Sequence, residues 1–263
     1  MAQVINTNTY SFNAQRHLNK NSLGLSTALE RLSSGLRVNS AKDDAAGLAV
    51  AQRMESDARG LTVAMRNAAD GISFGQTADG ALGTVGEILQ RMRELAVQSL
   101  NGTISDTERG YLNNEFTALQ TEVTALQGAA KLNNQSVFGS FTFQTGAASG
   151  QTIAGTFTSV TTPAGTINTS GNASTALTNI DTALNSVASN RSSIGATMSS
   201  LQFRIQQIET ARENQYAARS RIMDADFAAE TASLSRSQIL QQSGVAMVAQ
   251  ANAVPQNVLS LLR

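Results

Sequence analysis

Residues 31–50, RLSSGLRVNSAKDDAAGLAV, interrupt a chain that is otherwise patterned as long helices. Ahead of this stretch, apolar residues recur at the three- and four-residue steps of one helix face. They are Leu18, Leu25, Leu29, Leu32 and Leu36, with Ser22 in the one gap. Inside the stretch, serine, asparagine, aspartate and glycine replace most of the apolar residues. Such residues favour helix ends and turns, so they predict a break between two helices.

A longer helical seam follows the break and runs from Leu61 to Leu100. Beside it lies a second apolar stripe made of Val85, Ile88, Met92 and Leu95. Two stripes on one helix predict packing against more than one neighbour. At 1.5 Å per residue such a helix is about 60 Å long, a length that suits a rod better than a globule.

Two local signals refine this pattern. In LNGTISDTERGYL, residues 100–112, the spacing of Ser105 and Glu108 predicts a capping box at the start of a further helix. The glycines of GISFGQTADGALG, residues 71–83, fall inside the helical pattern. We expect these glycines to permit close approach of a neighbouring helix.

The composition changes from Asn133 to about Ser174, where glycine, serine, threonine and phenylalanine dominate. The segments SVFGSFTFQTG and GTFTSVTT alternate as strands do, with glycine-rich separators. They predict one or two small hairpins, with a disordered loop as the alternative.

Helical spacing returns from Leu177 to Arg212 and again in the last part of the chain. The final seam consists of Leu240, Gly244, Met247, Ala251, Val254, Val258 and Leu261. Further apolar residues cover its other sides, and a helix that is apolar nearly all round must be buried. Pro255 is expected to kink or end this helix.

These patterns predict a mainly α fold. We expect a long antiparallel helical rod or coiled-coil bundle, built from the N- and C-terminal segments, with a small β-hairpin region at the outer end. The terminal helices carry more apolar surface than one molecule can cover. We therefore expect a self-assembling subunit whose partners are other copies of the chain.

Composition excludes several classes of function. The 19 basic and 19 acidic residues give zero formal net charge, so nothing favours a nucleic-acid or membrane partner. The chain has no cysteine, which excludes disulfides, thiolate metal sites and cysteine nucleophiles. His17 is the only histidine, and we expect it to be solvated. We expect no signal peptide, no transmembrane helix, no cofactor, no metal site and no enzyme activity.

Six longer motifs resemble one known family. They are MAQVINTN, ERLSSGLRVNSAKDDAAGLAVAQRM, RNAADGIS, LQRMRELAVQS, SRSQILQQSG and AQANAVPQNVLSLLR. In this order, and near both ends of the chain, they resemble bacterial flagellin over about residues 1–142 and 176–263. The segment between corresponds to the variable region of that family, here very short.

The resemblance implies a division into inner and outer parts. Residues 1–44 and 223–263 would each give one helix to an inner terminal domain. Residues 45–132 and 175–222 would form the outer rod domain, with 133–174 as the variable β-hairpin segment. The inner helices would drive self-assembly through Leu25, Leu29, Leu32, Leu36, Leu240, Met247, Val254, Val258 and Leu261.

The break at residues 33–47 would then connect the inner and outer domains, although the residues alone favour an ordinary helix break. Gly35 permits backbone geometry that a helix interior resists. Ser40 is expected to cap the following helix, with Asp43 at its N3 position and Asp44 beside it.

A second connector is expected at IMDADF, residues 222–227, where Asp224 and Asp226 would serve the following helix as Asp43 and Asp44 serve theirs. In both connectors the carboxylates are expected to serve helix ends. Adjacent carboxylates on a helix point about 100° apart, which argues against a paired catalytic site.

The resemblance also implies a function and partners. The chain would be a structural subunit that polymerises into the extracellular flagellar filament for swimming motility. It would be exported unfolded by the flagellar type III apparatus, with an export chaperone, and would contact the cap and hook–filament junction proteins. Arg91, Leu95 and Glu115 would match the segment read by the animal flagellin-sensing Toll-like receptor, and packing between stacked subunits is the other role of that surface.

Two alternatives stay open. A hook–filament junction protein of the same family shares the terminal helices, and a coiled-coil adaptor would have such helices without forming a polymer. The segments VPQNVLSLLR and QRMRELAVQS favour flagellin.

Overall fold

The computed structural model describes residues 7–260, with side chains described as far as residue 253. Its helices are α1 (Thr9–Ser34), α2 (Ala45–Ser99), α3 (Asp106–Ala129), α4 (Ser170–Met223) and α5 (Phe227–Ser260). Its strands are β1 (Lys131–Leu132), β2 (Gln135–Ser136), β3 (Gly139–Gln144) and β4 (Thr152–Phe157). The predicted mainly α class with a small β-hairpin region is confirmed.

The helix bounds differ from the sequence prediction in two places. Helix α2 begins at Ala45, later than the start directly after Ser40 that a Ser40 cap implied, and the seam from Leu61 lies within it. Helix α5 continues through Pro255 to Ser260. Of the two alternatives expected at Pro255, a kink or an end of the helix, the end is therefore wrong.

The chain forms two compact units. The terminal unit comprises the described residues up to Ser56 together with those from Gln215 onward, and the central unit is Asp57–Asn214. Helices α2 and α4 each contribute residues to both units, so the unit boundaries fall inside these helices.

The core of the central unit is built from apolar faces of α2, α3 and α4. Its largest fully buried side chains include Leu82, Leu89, Met92, Leu95, Phe116, Val123, Ile180 and Ile194. In α2 both predicted stripes are used, because Leu82 and Leu89 of the first and Val85 and Met92 of the second are all buried. The prediction that this helix packs on more than one side is confirmed.

Two antiparallel hairpins follow α3, which confirms the hairpin prediction. In the first, Lys131 pairs with Ser136 and Leu132 with Gln135 around a two-residue turn. Asn133 and Asn134 have positive φ values of 50° and 63°, as such tight hairpin turns require.

The second hairpin pairs Gly139 with Phe157 at its open end. It carries an aromatic cluster that reaches α2, since the ring centroids of Phe141 and Phe74 are 5.3 Å apart. The rings of Phe141 and Phe157 are 5.8 Å apart, and Phe157 is fully buried. Contacts between aromatic rings therefore hold this hairpin within the central unit.

The expectation for the helical glycines is confirmed at two positions. A Cβ at Gly75 would lie 2.8 Å from Met198 Cγ on α4, and one at Gly71 would lie 3.0 Å from Leu201 Cδ1. At Gly80 and Gly83 a Cβ would meet no neighbouring atom within 4 Å. Close helix approach therefore explains the first two glycines and is the wrong explanation for the other two.

Candidate functional site

Polar contacts hold α1 and α5 of the terminal unit together as an antiparallel pair. The amide nitrogen of Asn21 donates to the backbone oxygen of Ser237 over 2.7 Å. Arg31 and Glu230 form an ion pair of 2.9 Å, and both side chains are largely covered. Ser11 extends the series of contacts toward the other end of the pair by donating to Asn252.

The terminal unit buries few large apolar side chains. Among the described residues of α1 and α5, the buried apolar ones are Ala28 and Ala251. Many large apolar residues of the same helices are exposed, namely Tyr10, Phe12, Leu23, Leu29, Phe227, Ile239, Leu240, Val245 and Met247. We call these nine residues the exposed apolar set. Leu23 is 70% exposed, Ile239 64% and Met247 62%.

An apolar groove of about 800 Å³ runs between α1 and α5. Its lining includes Tyr10, His17, Leu18, Leu240 and Met247. The helices approach closely at Gly244, where a Cβ would lie 3.1 Å from Leu18 Cδ1. The single histidine is exposed, and its ring joins a groove wall that is otherwise mostly apolar.

The residues predicted for self-assembly fall into three groups. Leu29, Leu240 and Met247 are exposed, and Leu25, Leu32 and Leu36 are half-buried. Val254, Val258 and Leu261 lie outside the residues whose side chains the structure describes. The exposed group thus belongs to the exposed apolar set, while the half-buried leucines lie partly within the terminal unit.

The first connector follows α1 in a left-handed turn. Gly35 has φ 71°, and its N–H donates to Arg31 O over 2.8 Å. Asp44, directly before α2, accepts the N–H of Gly47 through Oδ1 at 2.8 Å. Asp44 is therefore the residue that caps α2, and the prediction that Ser40 does so is wrong. Ser40 lies four residues too early to reach the free N–H groups of the first turn.

Asp43 closes the turn that precedes α2. Its Oδ2 accepts the backbone N–H and the hydroxyl of Ser40, each at 3.0 Å, and the N–H of Asn39 at 3.2 Å. These hydrogen bonds hold the pKa of Asp43 below its usual value, and the bond from the Ser40 backbone has the largest effect. Ser40 and Asp43 are thus bonded to each other in a turn that lies ahead of α2.

The second connector is bonded to the first. Asp226 Oδ1 accepts the N–H groups of Ala228 and Ala229 at 2.9 and 3.2 Å, so it caps α5 as predicted. Asp224 pairs with Leu36 in a single antiparallel bridge of backbone groups.

Two further backbone hydrogen bonds tie the connectors together. The N–H of Arg37 donates to Met223 O over 2.6 Å, and the N–H of Ala225 donates to Gly35 O over 3.0 Å. The polar break after α1 is therefore joined to the second connector by backbone hydrogen bonds within the terminal unit.

In the central unit, the structure brings Arg91 and Glu115 together at the surface. Arg91 Nε lies 2.9 Å from Glu115 Oε1, and Nη1 lies 2.9 Å from Glu94 Oε2. Hydrogen bonds to Glu94 and then to Glu115 raise the pKa of the Arg91 guanidinium. Leu95 is 1% exposed and lies in the core. The structure therefore does not bring Leu95 together with Arg91 and Glu115 at the surface, because the face of α2 that carries Leu95 packs inward.

Arg109 is a buried residue that the sequence analysis missed. Its Nε donates to Ser99 O over 2.8 Å, its Nη2 to Asn101 O over 3.0 Å, and its Nη1 pairs with Asp106. It therefore ties the end of α2 to the start of α3. One signal was available, because Arg109, Phe116 and Val123 recur at seven-residue steps and form the buried face of α3.

The described residues carry no sign of a metal site or a membrane-spanning helix. Across the described residues, no three histidine, cysteine or acidic side chains are grouped as a metal site would need. None of the described helices combines the length and apolar character needed to cross a membrane.

Comparison with known proteins gives a consistent result. Residues 5–142 match the family profile "Bacterial flagellin N-terminal helical region", and residues 177–262 match "Bacterial flagellin C-terminal helical region". The chain is 43% identical to a flagellin of Halalkalibacterium halodurans, over 99% of this chain and 100% of that protein.

Longer relatives match over part of their length. A flagellin of Salmonella muenchen is 51% identical over 58% of this chain and 31% of its own length. A flagellin A of Vibrio anguillarum is 48% identical over 61% of this chain and 43% of its own length. Among solved structures, the crystal structure of Bacillus cereus flagellin aligns with a TM-score of 0.51 and 28% identity, covering 54% of this chain and 88% of that one.

Proposed function

Because the chain belongs to the bacterial flagellin family, whose members form the extracellular flagellar filament, we propose that it polymerises through the exposed apolar set of α1 and α5. The chain is a structural subunit of that filament, which serves motility, and not an enzyme. The relatives named above are flagellins, so nothing in them favours the hook–filament junction alternative.

The exposure of large apolar side chains on α1 and α5 supports the proposed assembly surface. Helices α1 and α5 meet largely through polar contacts and small side chains, while Leu23, Ile239, Met247 and their neighbours remain exposed. Burial of apolar surface is the main favourable term in protein association. A set of large apolar side chains left uncovered by its own unit marks an interaction site, and other copies are the partners the family provides.

Two kinds of experiment test this surface. Purified protein under assembly conditions should give filaments in electron micrographs, whereas a chain lacking residues 254–263 should fold and fail to polymerise. Normal filaments from the shortened chain would overturn the predicted part of Val254, Val258 and Leu261 in self-assembly. Sedimentation before and after seeding separates a polymer from a coiled-coil adaptor, because only the polymer grows from seeds.

Export and assembly partners form a further part of the proposal. We expect unfolded passage through the flagellar type III apparatus, an export chaperone on the C-terminal helix, and contacts with the cap and hook–filament junction proteins. The supporting feature is the exposed Ile239, Leu240 and Met247 on α5, which an unassembled chain needs to shield.

Recognition by the animal flagellin-sensing Toll-like receptor is proposed for the surface around Arg91 and Glu115. The paired guanidinium and carboxylate present a rigid, charged feature on α2 and α3, and arginine is common at binding hot spots. Leu95 would support this surface from below through its packing in the core. The same surface could be covered between stacked subunits, so monomers rather than filaments are the form to test.

A further inference from the structure

The turn between α2 and α3 contains the only Asn-Gly pair in the chain, Asn101–Gly102. Both residues are exposed and lie outside the helices, since α2 ends at Ser99 and α3 begins at Asp106. In an Asn-Gly pair the backbone nitrogen of glycine can attack the asparagine side chain with little steric hindrance, because glycine has no Cβ. The pair therefore combines a reactive sequence with an accessible place in the fold.

One hydrogen-bonded turn contains both reacting groups. Asn101 Oδ1 accepts the N–H of Thr103 at 3.3 Å. The ring closed by this hydrogen bond contains both Cγ of Asn101 and the backbone nitrogen of Gly102. Within the described part of the chain, the Gly102 N–H has no hydrogen-bond acceptor. The nucleophilic nitrogen therefore lacks the hydrogen bond that would protect it.

The same peptide group is polarised by a buried cation. Its carbonyl oxygen, Asn101 O, accepts from Arg109 Nη2 at 3.0 Å and from the N–H of Ile104 at 3.2 Å. Arg109 is 8% exposed and is held in place by Ser99 O and Asp106. Fixed donors on a carbonyl stabilise negative charge that develops there. They make the N–H of the same peptide group, that of Gly102, more acidic.

We propose that Asn101 is a site of spontaneous deamidation that Arg109 accelerates. The Gly102 N–H gives its proton to solvent base, and the nitrogen forms a bond to Asn101 Cγ. The bond from Cγ to the side-chain nitrogen breaks as that nitrogen takes up a proton from solvent, and it leaves as ammonia. Water then opens the cyclic imide at either carbonyl, which yields aspartate or isoaspartate. Isoaspartate lengthens the backbone by one carbon at the turn that Arg109 holds.

Asn39–Ser40 provides a matched internal control. It also lies in a polar turn outside the helices, but the N–H of Ser40 is taken by Asp43 Oδ2 at 3.0 Å. Serine also hinders the attack more than glycine does. The structure therefore assigns different fates to two asparagines of the same chain.

The test is peptide mapping of the full-length protein during incubation at mildly alkaline pH. A synthetic peptide of residues 97–107, which lacks Arg109, is incubated beside it. We expect conversion at Asn101 to be faster in the folded protein than in the peptide, with Asn39 unchanged. Conversion in the folded protein that is equal to or slower than in the peptide would overturn the proposal.

Three variants sharpen the test. Arg109→Lys should slow conversion several-fold in the folded protein, and an unchanged rate would remove Arg109 from the mechanism. Gly102→Ala should nearly abolish conversion, and a Cβ there meets no atom within 4 Å, so the fold should be kept. Asn101→Gln should block it as well. If Arg109→Lys fails to fold, the comparison of protein with peptide decides the matter.

Discussion

The guanidinium of Arg191 on α4 binds the carboxylate of Asp79 on α2 through two hydrogen bonds. Nε lies 2.7 Å from Oδ1, and Nη2 lies 3.2 Å from Oδ2. Both residues occupy positions in otherwise apolar helical seams. A second pair, Arg93 with Asp181 at 2.8 Å, lies farther along the same two helices. The two ion pairs thus join α2 to α4 at two points and favour one alignment of these helices in the central unit.

Exchanging the two charges of the first pair tests this alignment. We expect Asp79→Arg or Arg191→Asp alone to destabilise the protein, because each places like charges opposite each other. The double exchange should recover most of the loss. Since Arg191 is about half exposed, the coupling energy in a double-mutant cycle should be only about 0.2–1 kcal/mol. Denaturant unfolding measures it, and zero coupling at low salt would contradict the prediction.

Two glycines of α2 should respond to alanine in opposite ways. Gly75→Ala should destabilise the protein, because the new Cβ would lie 2.8 Å from Met198 Cγ. Gly83→Ala should stabilise it by roughly 0.5–1 kcal/mol, since alanine favours helix and no atom lies within 4 Å. Thermal unfolding of the two variants gives the comparison. Equal effects of the same sign would refute the close-approach explanation at Gly75.

Leu240 should matter for assembly and not for the monomer. It is 51% exposed, so Leu240→Ala should leave the unfolding transition of the monomer nearly unchanged. If other subunits cover Leu240 in the filament, Leu240→Ala should weaken association by about 2–5 kcal/mol per subunit. The critical concentration for polymerisation should then rise by more than about tenfold. Gln242→Ala, on the same exposed helix, is the control. Filament growth of Leu240→Ala at the control's critical concentration would argue against the proposed surface.

Arg91 and Leu95 should affect receptor activation by different routes. Arg91→Ala removes a surface ion pair and should weaken activation by the monomer with little change in stability. Leu95→Ala opens a core cavity and should cost about 2–5 kcal/mol of stability. Receptor-reporter assays and unfolding curves distinguish the two. Arg93→Ala, which removes another exposed arginine of α2, is the control. An equal loss of signalling in this variant would contradict a specific role of Arg91 in receptor recognition.

The capping box of α3 should give a pH-dependent contribution to stability. Ser105 N and Oγ both donate to Glu108 Oε2 at 2.8 Å. These hydrogen bonds hold the pKa of Glu108 below its ordinary value of 4.5, and the bond from the Ser105 backbone has the largest effect. A carboxyl with a lowered folded-state pKa stabilises the protein above its unfolded-state pKa, and this contribution disappears as pH falls through the folded value.

Glu108→Gln should therefore be less stable than the natural chain near neutral pH. The difference should shrink below pH 4.5 and vanish below the lowered pKa. Melting temperatures of both proteins across this range provide the measurement. A difference that stays constant with pH would show that the carboxylate charge plays no part in the cap.

Local patterns predicted the elements of this fold with fair success. The helical spacings, the box formed by Ser105 and Glu108, and the hairpins around Phe141 all follow from interactions within a few residues of one another. An end of α5 at Pro255, one of the two alternatives expected there, was wrong, and α2 starts at Ala45 and not directly after Ser40. Both differences concern helix ends, which depend on the surroundings of a few backbone groups.

The roles of particular side chains were harder to predict. Ser40 and Asp44 both have the chemistry of a helix cap, and only the path of the backbone shows that Asp44 reaches Gly47. Leu95 and Leu240 look alike as seam positions, yet one is buried and the other exposed. Arg109 has no apolar character, but it lies on the buried face of α3 because backbone carbonyls there accept its hydrogen bonds.

By itself, the sequence determined that this protein is made of long helices with two small hairpins, and it carried the motifs that identify the family. Only the tertiary structure decided which apolar faces are covered within one molecule and which are left for other copies. The physical reason is that hydrophobic spacing reports that a face is apolar, while burial depends on distant segments that pack against it. In the central unit such segments are present, and on α1 and α5 much of the apolar surface remains uncovered.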